Sequence, residues 1–239
     1  MSEERAQSLL AAARRLADEV NRLSFSPPVT NVYNPLDYAW PPYRAYIERF
    51  ARTPKRALFL GMNPGPWGMA QTGVPFGEVP SVRDWMGIHE PVDSPGQLHP
   101  KRPIEGFACP RSEVSGRRLW GLMKERFGSP QVFFREHFVA NYCPLVFMEE
   151  SGRNRTPDKL PREERDALFA LCDTHLAETI RLLEPEVLIG VGKFAEARLR
   201  HIGSARRILS ILHPSPASPA ANRDWAGTVT RTLEETGVW

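Results

Sequence analysis

The sequence predicts an α/β fold: a single three-layer domain spanning residues 1–239, with a central four-stranded, mostly parallel sheet flanked by helices. Three observations carry this expectation. Short apolar runs bounded by turn residues occur at 57–61, 138–140, 186–190 and 207–212, and such runs read as buried strands. Helix-like segments stand between them, the alternation that builds βαβ units and a parallel sheet. With 239 residues, of which 41% are hydrophobic and 25% charged, the chain is long enough for one sizeable core.

Taken in order, residues 6–23 place Leu9, Ala13, Leu16, Val20 and Leu23 on one face, the spacing of an amphipathic helix. Residues 24–43 hold Pro27, Pro28, Pro35, Pro41 and Pro42 among Tyr33, Tyr38, Trp40 and Tyr43; a wrapping loop is expected, because those aromatics need burial. Together with the first helix it packs on the domain as far as residue 54. A short helix over 43–50 leads to the first strand. From 77 to about 106 the chain is rich in Pro and Gly with little periodicity, and a loop of that length in a compact domain is usually functional. A helix capped by Ser115 runs to about Phe127, and the second strand ends at Asn141. A surface loop fills 149–162. A long helix covers 163–183 and stops at Pro185, the third strand follows, and a helix runs from Gly192 through Leu199. The fourth strand covers 207–212 and a closing helix 222–235. All four strands then end on one edge, where open α/β sheets bind ligands.

Two stretches share one grammar there. Residues 57–61 empty into Met62-Asn63-Pro64-Gly65-Pro66-Trp67-Gly68, and 207–212 deliver His213-Pro214-Ser215-Pro216. The prolines stiffen each loop and the glycines let a ligand approach bare backbone. Alone, Asn-Pro-Gly is an ordinary turn, and a lone His at a strand end is more often a core residue than a reactive one. Their pairing is what raises the weight of a site. Asn63 can position a water but cannot take a proton as a carboxylate does. His213 can aim a donor at charge that develops in a transition state. Asn141 offers one acceptor and two donors; as a plain strand end it carries equal weight.

Other chemistry is poorly supported. Gly190-Val191-Gly192-Lys193-Phe194-Ala195 matches G-x-G-x-x-A after a strand, yet no acidic residue stands about 20 positions on to hold a ribose. A tight turn is the better reading, with Lys193 and the helix start able to meet a phosphate. No phosphate-cradling G-x-x-x-x-G-K-[ST] loop is present. Cys109, Cys143 and Cys172 form no paired motif, so reduced, buried thiols are expected and neither metal nor other cofactor. A net charge of +3 permits nucleic-acid binding without requiring it. Arg111, Arg117 and Arg118 form one basic group, and Lys193, Arg198, Arg200, Arg206 and Arg207 a second; both could neutralise phosphates. No apolar run approaches the roughly 20 residues of a membrane span, and the opening Met1-Ser2-Glu3-Glu4-Arg5 lacks a signal-peptide layout. A cytoplasmic protein without membrane association is expected.

Gly61-Met62-Asn63-Pro64-Gly65, residues 69–77 with the sequence MAQTGVPFG, Asn141-Tyr142-Cys143-Pro144-Leu145 and His213-Pro214-Ser215-Pro216 occur in that order. Together they resemble the single-strand-selective monofunctional branch of the uracil-DNA glycosylase superfamily, over most of the chain. The resemblance implies base-excision repair: hydrolysis of the N-glycosidic bond of uracil, and of 5-substituted uracils such as 5-hydroxymethyluracil, leaving an abasic site without lyase activity. It implies that Asn63 and His213 are catalytic, Asn63 orienting water toward the sugar C1′ and His213 donating to uracil O2 with the backbone N–H of Met62. Asn141 would meet uracil N3–H and O4, Phe76 would stack on a base flipped from the helix, and Gly65 and Met69 would line the pocket near C5, Gly65 leaving room there. Ser215, Pro216, Ala217 and Ser218 would contact DNA together with Lys193. Ala217 stands where the family carries a larger basic residue, which implies a weak wedge on duplex DNA and leaves single strands unaffected. The expected protein is a monomer acting on uracil-containing DNA, single- and double-stranded. Two rivals stand beside this reading: a relative preferring xanthine or hypoxanthine, separable by changing Asn141 to Asp, and a non-catalytic single-strand binder that stacks bases on Phe76 and Trp67 and releases no base.

Overall fold

The computed structural model describes residues 2–203 and 205–239. Helix α1 (Ser2–Val20) opens the chain and buries Leu9, Ala13, Leu16 and Val20 as its spacing requires. The next segment is not the wrapping loop expected from its prolines. It contains strand β1 (Val29–Tyr33), helix α2 (Pro35–Tyr38) and helix α3 (Trp40–Phe50). Pro35, Pro41 and Pro42 fall in first helical turns, where the missing N–H costs nothing. The Asn34 side chain caps α2 by accepting from the Leu36 N–H at 3.2 Å. Its aromatics are nevertheless inside: Tyr33, Tyr38 and Tyr46 are buried.

Strand β2 (Ala57–Gly61) is buried at every position. It is followed by the short helix α4 (Met69–Thr72) and a long irregular stretch broken by a π-helical turn at Ser81–Trp85 and a 3-10 turn at Gly106–Ala108. Helix α5 (Val114–Phe127) is capped by Glu113, whose carboxylate accepts from the Ser115 N–H at 3.3 Å; the expected cap, Ser115, is itself helical. Helix α6 (Pro130–Glu136), too short to show a period, leads directly into β3 (His137–Asn141). Strand β4 (Val146–Glu149) and the two-residue β5 (Asn154–Arg155) lie next, so the expected surface loop at 149–162 is partly strand. Helix α7 (Arg162–Leu183), strand β6 (Val187–Val191), helix α8 (Lys193–His201) and strand β7 (Arg207–Ile211) follow the reading closely. Helix α9 (Pro219–Glu235) starts three residues before the expected Asn222, because Ser218 caps it, and it kinks at Asp224.

The main sheet has the order β3-β2-β6-β7 with every pair parallel. A second, antiparallel sheet, β1-β4-β5, has no counterpart in the sequence reading. Its strands are too short or too mixed in polarity to announce themselves. The core is aromatic around Trp120, Phe133 and Phe134, with Phe50 stacked on Phe134 at 4.0 Å between centroids. The three cysteines are free and buried. Among the described residues no helix is long and apolar enough to cross a membrane, and no group of three His, Cys, Asp or Glu side chains could hold a metal ion.

Candidate active site

The parallel register fixes where the site lies. Gly61 and Asn141 are partners at the ends of β2 and β3, and the ladder continues through Tyr142 N–H to Gly61 O and Cys143 N–H to Met62 O. Two strands away, Gly192 N–H donates to Ile211 O where β6 and β7 end. Asn63 and His213 each stand two residues beyond their strands, on β2 and β7 with β6 between, and thus about 10 Å apart along the sheet edge at ordinary strand spacing. A cleft of about 360 Å³ opens at this edge. Met62, Asn63, Gly65, Met69, Phe76, Asn141, His213, Ser215 and Pro216 all line it. Of the catalytic, base-binding and DNA-binding residues that the resemblance implies, Lys193, Ala217 and Ser218 fall outside that lining, as do Trp67 and the two basic groups.

The polar side chains are held in defined roles. Asn63 Nδ2 donates to Leu145 O at 3.1 Å and Pro64 O at 3.4 Å. Its Oδ1 accepts from no described residue and is free for a water. Asn141 Nδ2 rests against Met69 Sδ at 3.3 Å. Phe76 is half-buried and has a positive φ of 53°, a conformation that costs a non-glycine residue of order 1–3 kcal/mol and persists only where its surroundings enforce it. They do. The Phe76 carbonyl accepts from Trp120 Nε1 at 3.1 Å and from the Glu78 N–H at 2.8 Å. Gly116 lies so close to it that a Cβ would stand 2.0 Å away. The ring then faces His213 with centroids 6.1 Å apart. Burial pushes the His213 imidazole down to about 4, so at neutral pH it is an uncharged ring with one N–H to donate.

Four features were missed in the sequence. Gly61 must be glycine, since a Cβ would lie 2.5 Å from Asn141 Oδ1 and from Phe76 Cε2. Gly192, at φ +90°, lets β7 bring His213 alongside: a Cβ there would be 3.1 Å from the His213 Cβ. The room expected beside Gly65 is occupied, because Glu113 Oε2 would meet a Cβ on Gly65 at 2.3 Å. Burial raises the Glu113 carboxyl, with the nearby Glu78 adding to it against the Ser115 N–H, and Glu113 lines the cleft. Only the helix-cap position could have flagged it. Finally, Arg118 donates to Pro214 O at 3.1 Å, to Ser215 O at 3.3 Å and to Asn222 Oδ1 at 2.8 Å, while Asn222 Nδ2 donates to Pro216 O at 2.9 Å. The loop carrying His213 is latched to α5.

The second basic group is largely spent inside the protein. Lys193 and Arg200 pair with Glu196 at 2.9 and 3.0 Å, Arg198 pairs with Asp173, and Arg207 donates to Thr236 O at 2.7 Å. A phosphate approaching Lys193 would therefore share it with Glu196. In the loop beyond His213, Ser215 Oγ accepts from Ala217 N–H at 3.1 Å and Ser218 Oγ caps α9, leaving Pro216 and Ala217 exposed at its tip.

Comparison with known proteins adds an independent line. The family model described as Uracil DNA glycosylase superfamily matches residues 49–233. The chain is 49% identical over 237 residues to a mouse protein named single-strand selective monofunctional uracil DNA glycosylase, covering 98% of this chain and 85% of that one. It is 50% identical to the Rattus norvegicus protein of that name, with the same coverage. Among solved structures, wild-type Pedobacter heparinus SMUG2 superposes with a TM-score of 0.65 over 95% of this chain and 97% of that chain. At 17% identity, that likeness speaks for the fold alone.

Proposed function

The chain belongs to the uracil DNA glycosylase superfamily, and from that premise we propose that it excises uracil from DNA by hydrolysing the N-glycosidic bond, as a monofunctional enzyme that leaves an abasic site. What supports the assignment of roles is one observation above the others: Asn63 Oδ1, an acceptor without a partner among the described residues, and a neutral imidazole, His213, line the same cleft with Phe76 and Asn141. In this reading the C1′–N1 bond breaks as the sugar becomes oxocarbenium-like, and its electron pair moves onto the uracil ring, with charge on O2. The His213 N–H donates to O2, and one such preorganised donor is worth about 3–4 kcal/mol. A water held by Asn63 Oδ1 adds to C1′; its proton leaves to solvent or to the departing uracil anion, because an amide cannot keep it. Asn141 presents donor and acceptor to the N3–H and O4 edge. Cytosine, with an amino group and an unprotonated N3 there, would leave those groups unpaired.

The reading extends to 5-substituted uracils. The room beside Gly65 is filled by the Glu113 carboxyl, so the support is not open space but a polar wall that a hydroxymethyl group could hydrogen-bond. Substrate is expected in single-stranded DNA first, since the exposed Pro216–Ala217 tip offers little to fill a duplex after the base has left. The test is base release from a single-stranded oligonucleotide with one uracil, in EDTA, with alkali added afterwards. Strand cleavage only after alkali is expected; cleavage before alkali would assign lyase activity, and none at all would overturn the proposal.

A further inference from the structure

The loop after β2 forms one lip of the cleft, and it carries Trp67, half-buried and flanked by Pro66 and Gly68, which line the cavity while Trp67 does not. Arg102 Cζ and Arg111 Cζ each stand 5.2 Å from the Trp67 ring centroid. Packing on an indole fixes a guanidinium without neutralising it. Neither arginine meets a carboxylate within ion-pairing distance among the described residues, in contrast to Arg155 nearby, which pairs with Glu149 at 3.0 Å. Arg102 spends one N–H on the Lys101 carbonyl at 2.8 Å. Lys101 and Arg153 adjoin, both exposed and both without an ion pair among the described residues, around Gly152, where a Cβ would lie 3.2 Å from Lys101 Cβ and 3.4 Å from Arg102 Cζ. The opposite lip differs, because its half-buried arginine, Arg118, is consumed by Pro214, Ser215 and Asn222.

An uncompensated group of cations at the mouth of a cleft attracts a polyanion, and planar guanidinium forks fit phosphate oxygens. We infer that the Trp67 lip, through Arg102 and Arg111, holds the backbone phosphates next to the bound nucleotide, so that the DNA strand crosses the cleft on this side. The inference rests on the reading of the cleft as a uracil-nucleotide site. It assigns to Trp67 the task of positioning the two arginines, not of stacking on a base.

The experiment measures binding of a fluorescent single-stranded oligonucleotide, with a tetrahydrofuran abasic analogue at one position, as a function of salt. Each phosphate contact on single strands contributes about 0.7 to the fall of log K with log salt, so Arg102→Gln/Arg111→Gln is expected to flatten the slope by about 1.4 and weaken binding about 25-fold at about 0.1 M salt. Arg102→Lys/Arg111→Lys should keep most of the slope. Arg52→Gln/Arg135→Gln, which removes two exposed charges beside the opposite ends of β2 and β3, should leave it near wild type. Should the half-buried Arg102 variant not fold, Arg111→Gln alone is expected to flatten the slope by about 0.7. An unchanged slope in the glutamine variants, or an equal loss in the distant pair, overturns the inference. Uracil release by the wild-type protein is assayed in parallel. Release with an unchanged slope removes the phosphate contact and leaves the glycosylase reading; a flattened slope without release removes the glycosylase reading and leaves the contact.

Discussion

His213 and Gly61 bear on the cleft in opposite ways, one by the N–H it would donate in the proposed reaction and the other by what it lacks. Removing a preorganised donor from a developing anion costs about 10²–10³ in kcat, so His213→Ala should lose that much in single-turnover uracil release while melting at a temperature close to wild type. A folded His213→Ala with more than a tenth of the wild-type rate would remove the leaving-group argument. Gly61→Ala acts by intrusion. Its Cβ would press to 2.5 Å on both Asn141 Oδ1 and Phe76 Cε2, and Phe76 cannot yield freely because its carbonyl is held by Trp120 Nε1 and Glu78 N–H. Overpacking of this kind costs about 1–3 kcal/mol. Thermal melting should register that loss, and uracil release should fall at least tenfold, because both groups that would hold the base are displaced together.

At the scale of elements, the segment joining β7 to α9 is organised by partners distant in sequence. Arg118 on α5 and Asn222 on α9 share four hydrogen bonds with it or with each other, and Trp225 Nε1 donates to Leu212 O at 2.7 Å just before His213. Hydrogen bonds to a charged group are worth about 1.5–3 kcal/mol when buried, and less here because the latch is partly exposed. Arg118→Ala should therefore cost about 1 kcal/mol of stability yet raise KM on uracil-containing strands several-fold, with Arg118→Lys recovering part of it. A stability loss with an unchanged KM would make the latch merely structural. This latch also marks the limit of what the sequence discloses. Strand runs and helix faces are local patterns, so β2, β3, β6, β7 and the loops carrying Asn63 and His213 can be read directly. Arg118 reads only as part of a basic cluster, because its acceptors lie about a hundred residues away. Helices α2 and α3 are hidden because Pro35, Pro41 and Pro42 resemble loop formers until their places in the first turns are known. The β1-β4-β5 sheet is hidden because its strands are short or mixed in polarity and β1 pairs with β4 only across about a hundred residues.

For the molecule as a whole, three histidines tie folding to proton uptake. Burial lowers His175 and His213 each to about 4 and lowers His137 as well, whereas an unfolded imidazole titrates near 6.5. Below that value the unfolded chain binds more protons than the native one. The contribution of these groups is thus fully present above about pH 6.5 and is lost as pH falls toward 4. Glu196, held at about 2 first by Lys193 and then by Arg200, carries the loss further down as carboxylates protonate. Glu113 opposes it, since its raised carboxyl keeps a proton more readily folded than unfolded, but it is one group against three. Urea unfolding at a series of pH values should show two to three protons taken up on unfolding between pH 6.5 and 4. His175, which faces α1 and lies outside the cleft, allows the test without touching chemistry: His175→Gln should remove about one of those protons. The same burial makes His213 neutral throughout the range where the enzyme would work, so kcat for uracil release should show no inflection from this residue between about pH 5.5 and 8. An inflection near 6.5 that disappears in His213→Asn would mean that the imidazole titrates as an exposed group and acts as a cation.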